Sequence, residues 1–292
     1  MKVYSHSKLS AFEQCPLKYK FKYIDKIKPL IEKTIESHLG SSVHHTLEWI
    51  YNSIKDNPEK IPNLDEIINY YIKIWQKDLS ENILIVKKQF THKDYLNKGI
   101  QFLADYFQEH YPFKDGTIEC EKEIIIKLDE NTRIKGFIDR LVYNIEEGHY
   151  EIHDYKTANT LPSQEKMNED RQLALYSIAI KEIYGKDKEV VLIWHYLAYN
   201  HKIISKRTEE QLEKLKYETK KLIEEIEQTK SFIPCKSILC GWCEYKSICT
   251  EWNLQLDENL SENILSKKVN PFPRIEENGE REKLDIWNEK SI

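Results

Sequence analysis

Gly136-Phe137-Ile138-Asp139-Arg140, followed by Ile152-His153-Asp154-Tyr155-Lys156-Thr157, carries two acids and a lysine on what read as neighbouring β-strands. Residues two apart on a strand share a face, so Asp154 and Lys156 project together while Tyr155 turns the other way. If the two strands pair, Asp139 brings a second carboxylate to the same spot. Two acids and an amine are the minimum for metal-assisted hydrolysis of a phosphodiester: the carboxylates hold a divalent cation and the amine steers or deprotonates water. An Asp-x-Lys on an exposed strand is ordinarily a solvated pair. Here Ile152 and the Ile134–Val142 run mark the strands as partly buried, and a buried acid needs a partner or a metal.

These residues resemble the PD-(D/E)XK nuclease superfamily, in its RecB-like branch, whose Gly-x-x-Asp-Arg and Asp-Tyr-Lys-Thr pattern they match. Gly40-Ser41-Ser42-Val43-His44 with Leu47-Glu48 is similar to that branch's Gly-x-x-x-His-x-x-Leu-Glu helix, and Gln172 with Tyr176 to its Gln-x-x-x-Tyr motif. The resemblance covers residues 1–252 through scattered motifs in the expected order. It implies an α/β fold with a restriction-endonuclease-like core, a mixed central sheet flanked by helices. It also implies a metal-dependent deoxyribonuclease, a single-strand-preferring exonuclease, in DNA repair, recombination or CRISPR-type processing.

By the same resemblance, His44, Asp139, Asp154 and the backbone carbonyl of Tyr155 would hold Mg²⁺ or Mn²⁺, with Asp139, Asp154 and Lys156 as the catalytic set. His44 and His45 point about 100° apart on a helix, so one of them can face a shared site, and the motif spacing selects His44. Gln172 and Tyr176 share a helical face and would stand at the fringe of the site, touching DNA or Lys156.

Cysteine gives a second signal, at positions 15, 120, 235, 240, 243 and 249. Nothing at the N-terminus reads as a secretory signal, so clustered thiols point to metal binding rather than to a disulfide scaffold. Cys240, Cys243 and Cys249 offer three soft ligands in one loop, one short of a closed site. Cys235 would complete a local zinc knuckle, whereas Cys15 would form a long-range clasp. Cys15-Pro16-Leu17-Lys18-Tyr19 with Tyr23 resembles the N-terminal segment of RecB-like nucleases that carry an iron–sulfur cluster, and this implies Cys15, Cys240, Cys243 and Cys249 as ligands of a [4Fe–4S] cluster. Closing a loop of about 225 residues costs on the order of 5 kcal/mol of chain entropy, which such a clasp removes from folding.

The formal charge of −5 and pI near 6.1 are not those of a basic DNA binder overall. Basic surface confined to one groove, with acids neutralised by cations, resolves this. Leu17–Lys26, read as a helix, sets Lys18, Lys22 and Lys26 in one stripe beside Tyr19 and Tyr23, the phosphate-plus-ring pattern that suits single-stranded DNA.

Apolar periodicity predicts helices near 38–56, 64–79, 93–111, 168–184 and 207–229, with Ser7 capping an earlier one. Strands are expected near 117–128, 132–143, 149–156, 189–199 and 201–206. The organisation expected is a nuclease domain over 1–252, with a helical insertion at 50–115 and a cysteine cluster at 235–252, followed by a charged tail at 253–292. No apolar run approaches the roughly 20 residues that span a bilayer, so a cytoplasmic protein without a membrane partner is expected. No phosphate-binding Gly-x-x-x-x-Gly-Lys-Ser/Thr loop occurs, so the chain is no helicase, although a helicase or other repair or CRISPR protein could be its partner. The rival readings are a catalytically inactive DNA-binding scaffold subunit and a zinc-knuckle interaction protein.

Overall fold

Alternating burial along Thr132–Asn144 makes this segment the spine of a six-stranded mixed sheet. The computed structural model describes residues 1–31, 33–79, 82–249 and 251. The expected tail therefore lies outside the described residues, and every element named below belongs to the unit Met1–Trp252. In chain order the elements are β1 (Lys2–Tyr4), α1 (His6–Gln14), α2 (Pro16–Tyr19), β2 (Lys33–Thr34), α3 (Ile35–Asp56), α4 (Leu64–Lys77), β3 (Ile83–Leu84), α5 (His92–His110), β4 (Thr117–Lys127) and β5 (Thr132–Asn144). Then come β6 (His149–Lys156), α6 (Gln164–Asn168), α7 (Arg171–Tyr184), β7 (Val190–Tyr196), β8 (His201–Lys206) and α8 (Glu209–Gln228).

The main sheet runs β1-β5-β6-β7-β8, with β4 on the other edge of β5. β4, β5 and β6 form an antiparallel meander, α7 crosses over to set β7 parallel to β6, and β8 returns antiparallel. One face of the sheet packs Leu9 and Phe12 of α1, Leu173, Leu175 and Ile178 of α7 and Ile223 of α8 against Ile134, Ile138, Ile152 and Trp194. The other face lies under Leu39, Val43 and Leu47 of α3, Tyr71 and Trp75 of α4, and Phe102 and Tyr106 of α5, which enclose Tyr155. The expected mixed sheet between helical layers is present.

Local chemistry explains the boundaries. Thr34 caps α3 by accepting from the Ser37 N–H, so this helix begins at Ile35, earlier than its apolar period suggests. Asn63 with Glu66, and Thr91 with Asp94, close capping boxes at α4 and α5. Ser5, not Ser7, caps α1. The helix expected over 168–184 starts later, at Arg171, because Asp170 caps α7, and the short α6 precedes it. The strand expected to 199 stops at Tyr196 and passes into one tight helical turn. The short strands β1, β2 and β3 carry too few residues to show a period. No helix among the described residues is long and apolar enough to cross a membrane.

The basic stripe needs correction. After Tyr19 the chain widens into a π-type turn over Lys20–Ile24, and Lys26 lies beyond it with φ of 52°, so Lys18, Lys22 and Lys26, though four residues apart, do not form one α-helical stripe. Lys18 and Lys22 turn instead to Glu244, at 2.8 and 3.5 Å. Tyr19 is buried, stacked on Phe232 and edge-on to Phe12, and Tyr23 leans on Tyr19. These side chains join the N-terminal segment to the segment after α8 and leave Tyr19 no face for a base.

Candidate active site

β5 and β6 pair from Asn144–His149 to Arg140–His153, where the ladder stops. Beyond that point Asp154, Tyr155 and Lys156 follow β7, in register with Trp194, His195 and Tyr196, while β5 stays with β4. The strands part as a fork with Asp139 on one prong and Asp154 on the other. One bond crosses it: the Tyr155 N–H donates to Asp139 Oδ2 at 2.9 Å.

His44, one turn beyond Gly40 on α3, reaches into this fork. Its Nδ1 lies 3.3 Å from Asp139 Oδ2, and its Nε2 donates to the Tyr155 carbonyl at 2.7 Å. His45 points elsewhere, 3.7 Å from Glu48 and largely exposed. On the opposite side, Asp154 is buried with Lys156 Nζ 2.7 Å from its Oδ2. That ammonium is the charged partner of the buried Oδ2. Lys156 Nζ also donates to Gln172 Oε1 at 3.2 Å. Tyr176, on the same face of α7, presses on Gly136, where an added Cβ would lie 2.4 Å from its ring; glycine lets helix and strand approach this closely.

The electrostatics follow from crowding. Burial, and then the charge of Asp154, push the Asp139 carboxyl up to about 7, against the pull of His44 and the Tyr155 N–H. Burial acts to lower the Lys156 ammonium, but Asp154 and then Asp139 outweigh it and hold the group above its ordinary value. Lys156 is therefore a cation at neutral pH.

Glu121 completes the set, and sequence reading missed it. Its neighbours Cys120 and Lys122 pair with Arg140 and Ile138, so it stands level with Asp139. Its φ of 47° is rare for a non-glycine residue and costs on the order of 1–3 kcal/mol. Across from it Ile138 and Leu141 enter the same core, so the period-two alternation of β5 breaks at Asp139–Arg140. This double irregularity brings ligand atoms of His44, Glu121 and Asp139 within 4.8 Å of one another. Burial raises the Glu121 carboxyl as well. Crowded acids and a nearby carbonyl fit a hard divalent cation, which prefers such oxygens.

A family model of the PD-(D/E)XK nuclease superfamily matches residues 3–250. The chain belongs to this superfamily. No curated protein matches it. Among solved structures, one titled "Crystal structure of SSO0001" is similar over 86% of this chain and 87% of that chain, at 12% identity and a TM-score of 0.38. Nucleases of the PD-(D/E)XK kind use divalent metals, and the ligand atoms of His44, Glu121 and Asp139 lie close enough together that they could hold one.

Behind the PD-(D/E)XK fork lies a buried polar network that the motifs did not announce. Arg140 is 1% exposed. Its Nε donates to Tyr155 Oη at 2.8 Å, its Nη2 meets His153 Nδ1 at 2.9 Å, and its Nη1 bonds Thr117 Oγ1 at 3.1 Å and pairs with Asp115. Tyr155 Oη continues to Tyr106 and on to Tyr51, at 3.0 and 2.7 Å. Burial, with Arg140 close by, lowers both His153 and His195, so these rings stay neutral beside the guanidinium. The side chain of Tyr155 is thus fixed from one face of the sheet while its backbone serves the fork.

Five cysteines of this PD-(D/E)XK chain line a single cavity: 15, 235, 240, 243 and 249. Cys15 Sγ accepts from the Cys235 N–H and Cys240 Sγ from the Ser237 N–H, both at 3.4 Å. Cys235 itself is exposed. Cys120 is half-buried among the helical-layer residues, away from this cavity, and burial pushes its thiol up to about 12.

Proposed function

We propose that this chain is a metal-dependent deoxyribonuclease acting on single strands or strand ends, its domain spanning residues 1–252. The observation that carries the reading is the fork in which His44, Glu121 and Asp139 meet beside Asp154 and Lys156. His44, Glu121, Asp139, Asp154 and the Tyr155 carbonyl would hold Mg²⁺ or Mn²⁺. When bound, the cation supplies Lewis-acid charge and makes water a stronger acid.

Lys156, kept protonated by Asp154, donates to the attacking water or to the phosphate oxygens and offsets the charge that builds there. Gln172 holds the ammonium in place through its Oε1. Tyr155 presents its carbonyl in a fixed direction because Arg140 and Tyr106 hold its ring. A scaffold without activity has no use for a strained Glu121 and a buried, protonated lysine in one fork.

Cys15, Cys240, Cys243 and Cys249 are assigned to a structural [4Fe–4S] cluster. The shared cavity supports this, as do the N–H groups aimed at Cys15 and Cys240 sulfur, since such bonds stabilise ligating thiolates. Cys235 contributes its backbone N–H to Cys15 Sγ and lines the same cavity, so the local zinc knuckle with Cys235 as fourth ligand is the alternative. Incubating anaerobically purified protein with end-labelled single- and double-stranded DNA and Mn²⁺ tests the activity and its direction. Intact DNA under every condition would refute it.

A further inference from the structure

β5 has a strand neighbour on its fork side at Thr132–Ile134, through β1, and again from Arg140, through β6. Between these, on that side and among the described residues, Lys135–Asp139 has no strand beside it, and a cavity of about 560 Å³ occupies the gap. Its walls are the Tyr4–Lys8 turn, Lys135–Phe137 of β5, and Gln172 and Tyr176 of α7. The volume falls within the roughly 300–1,000 Å³ of small-molecule sites. Gln172 belongs to both places, since the same side chain that lines this cavity accepts from Lys156. Phe137 stands two residues before Asp139 on the same strand.

The lining is built from a ring and cations. Phe137 is 45% exposed in a sheet whose inner residues are covered, and Lys135 Nζ lies 5.2 Å from the centre of its ring. Lys135 also pairs at 2.7 Å with Glu123 of β4, and both side chains stay open to solvent. Lys8 lies 4.2 Å over the Tyr4 ring, at the start of α1, where the Ser5 cap leaves further N–H groups facing outward. His6 bonds Ser10 through Nε2, and its Nδ1 is buried without a partner. An exposed aromatic face, two ammonium groups and a helix start together match the chemistry of one nucleotide: a base to stack and an anion to hold.

We propose that this gap seats one unpaired nucleotide of the DNA strand, adjacent to the bond cleaved, with its base on Phe137 and its phosphate between Lys8 and Lys135. The proposal rests on the nuclease reading and names what that site selects: a strand whose terminal base is free to leave its partner. A base held in a duplex cannot lie flat on a ring set inside a sheet gap. Blunt duplex DNA is then a poor substrate until its end frays.

The test measures binding of a short thymidine oligonucleotide to the full chain in EDTA, by fluorescence anisotropy, with a second probe carrying 2-aminopurine at its end. Phe137→Ala should weaken single-strand binding about tenfold and abolish the quenching of 2-aminopurine, whereas Phe137→Trp keeps both. Lys8→Ala and Lys135→Ala should each flatten the salt dependence. Unchanged affinity and quenching in Phe137→Ala, while the unaltered protein still cuts DNA with Mn²⁺, would overturn the seat and leave the nuclease standing. If thymidine monophosphate binds as tightly as the oligonucleotide and is equally sensitive to Phe137→Ala, the occupant is a free nucleotide and the strand proposal fails. Failure of the unaltered protein either to bind or to cut single strands removes both readings together.

Discussion

The Tyr155 N–H donates to Asp139 Oδ2 across the point where β5 and β6 have already parted. That bond fixes one carboxylate oxygen of Asp139 against the very residue whose carbonyl meets His44. The fork is held open at a set width by its own backbone, and the carboxylates stay close enough to repel.

Cleavage should depend on that crowding. Asp139→Asn, Asp154→Asn and Lys156→Ala are each expected to reduce DNA hydrolysis at least about a hundredfold with the fold intact. Gel assays with end-labelled DNA, alongside circular dichroism, check this. Near-normal cleavage by any of the three would remove that residue from the set.

Cation affinity should follow pH with a definite sign. Asp139, raised to about 7, binds a proton below that value and must lose it to take a metal. Calorimetric titration with Mn²⁺ is expected to show affinity rising about tenfold per pH unit up to about 7 and levelling off above it. The same shift bears on the metal-free protein. Its folded state holds this proton between the unfolded value near 4 and about 7, so Asp139 lowers stability as pH rises through that window, and Mn²⁺ restores it.

Glu121→Gln should weaken Mn²⁺ binding about tenfold in that titration, since one charged ligand is lost. Glu121→Gly, which relieves the positive φ, should lose the same affinity yet cost less stability than a typical truncation on β4. Equal Mn²⁺ affinity in both variants and the parent would take Glu121 out of the ligand set.

Removing Arg140 strands several partners at once. Arg140→Leu is expected to cost about 3 kcal/mol in urea denaturation, because Tyr155 Oη, His153 and Asp115 lose a shared donor inside the protein. A loss below about 1 kcal/mol would mean that water replaces the guanidinium there.

The thiols offer a test by colour. Anaerobic protein should absorb broadly at about 400 nm, and Cys15→Ser should bleach it and lower the melting temperature by about 10 °C, since a tie over some 225 residues is lost. Cys235→Ser should keep the colour. Colourless protein with one zinc, lost on Cys235→Ser and kept on Cys15→Ser, would establish the knuckle instead.

Much of this was legible in the chain because the acids and lysine sit on two strands whose apolar residues alternate. Ile134, Ile138 and Ile152 marked the buried face, and turn residues at 146–148 marked the hairpin. Glu121 was not legible: its place depends on a left-handed backbone that nothing in a glutamate announces, and on a strand partner far along the chain. Arg140 looked like part of a motif, yet its work is done behind the sheet by tyrosines from α3 and α5 that no local pattern ties to it. The lysine stripe failed for a geometric reason. A wide turn of five residues shifts side chains off the 3.6-residue period, and Glu244, over two hundred residues away, then claims Lys18 and Lys22.

β1 is made some 130 residues before its sheet partner, which begins at Thr132, and Lys2 and Tyr4 both bond Glu227 near the end of α8. A ribosome adding about 5–20 residues per second needs on the order of ten seconds or more to deliver that glutamate. For most of that time α1, with Leu9 and Phe12, has nothing to dock on, and the gap beside Lys135 lacks its Tyr4–Lys8 wall. The wall beside Lys135 is therefore complete only once segments some 130 residues apart in the chain have met.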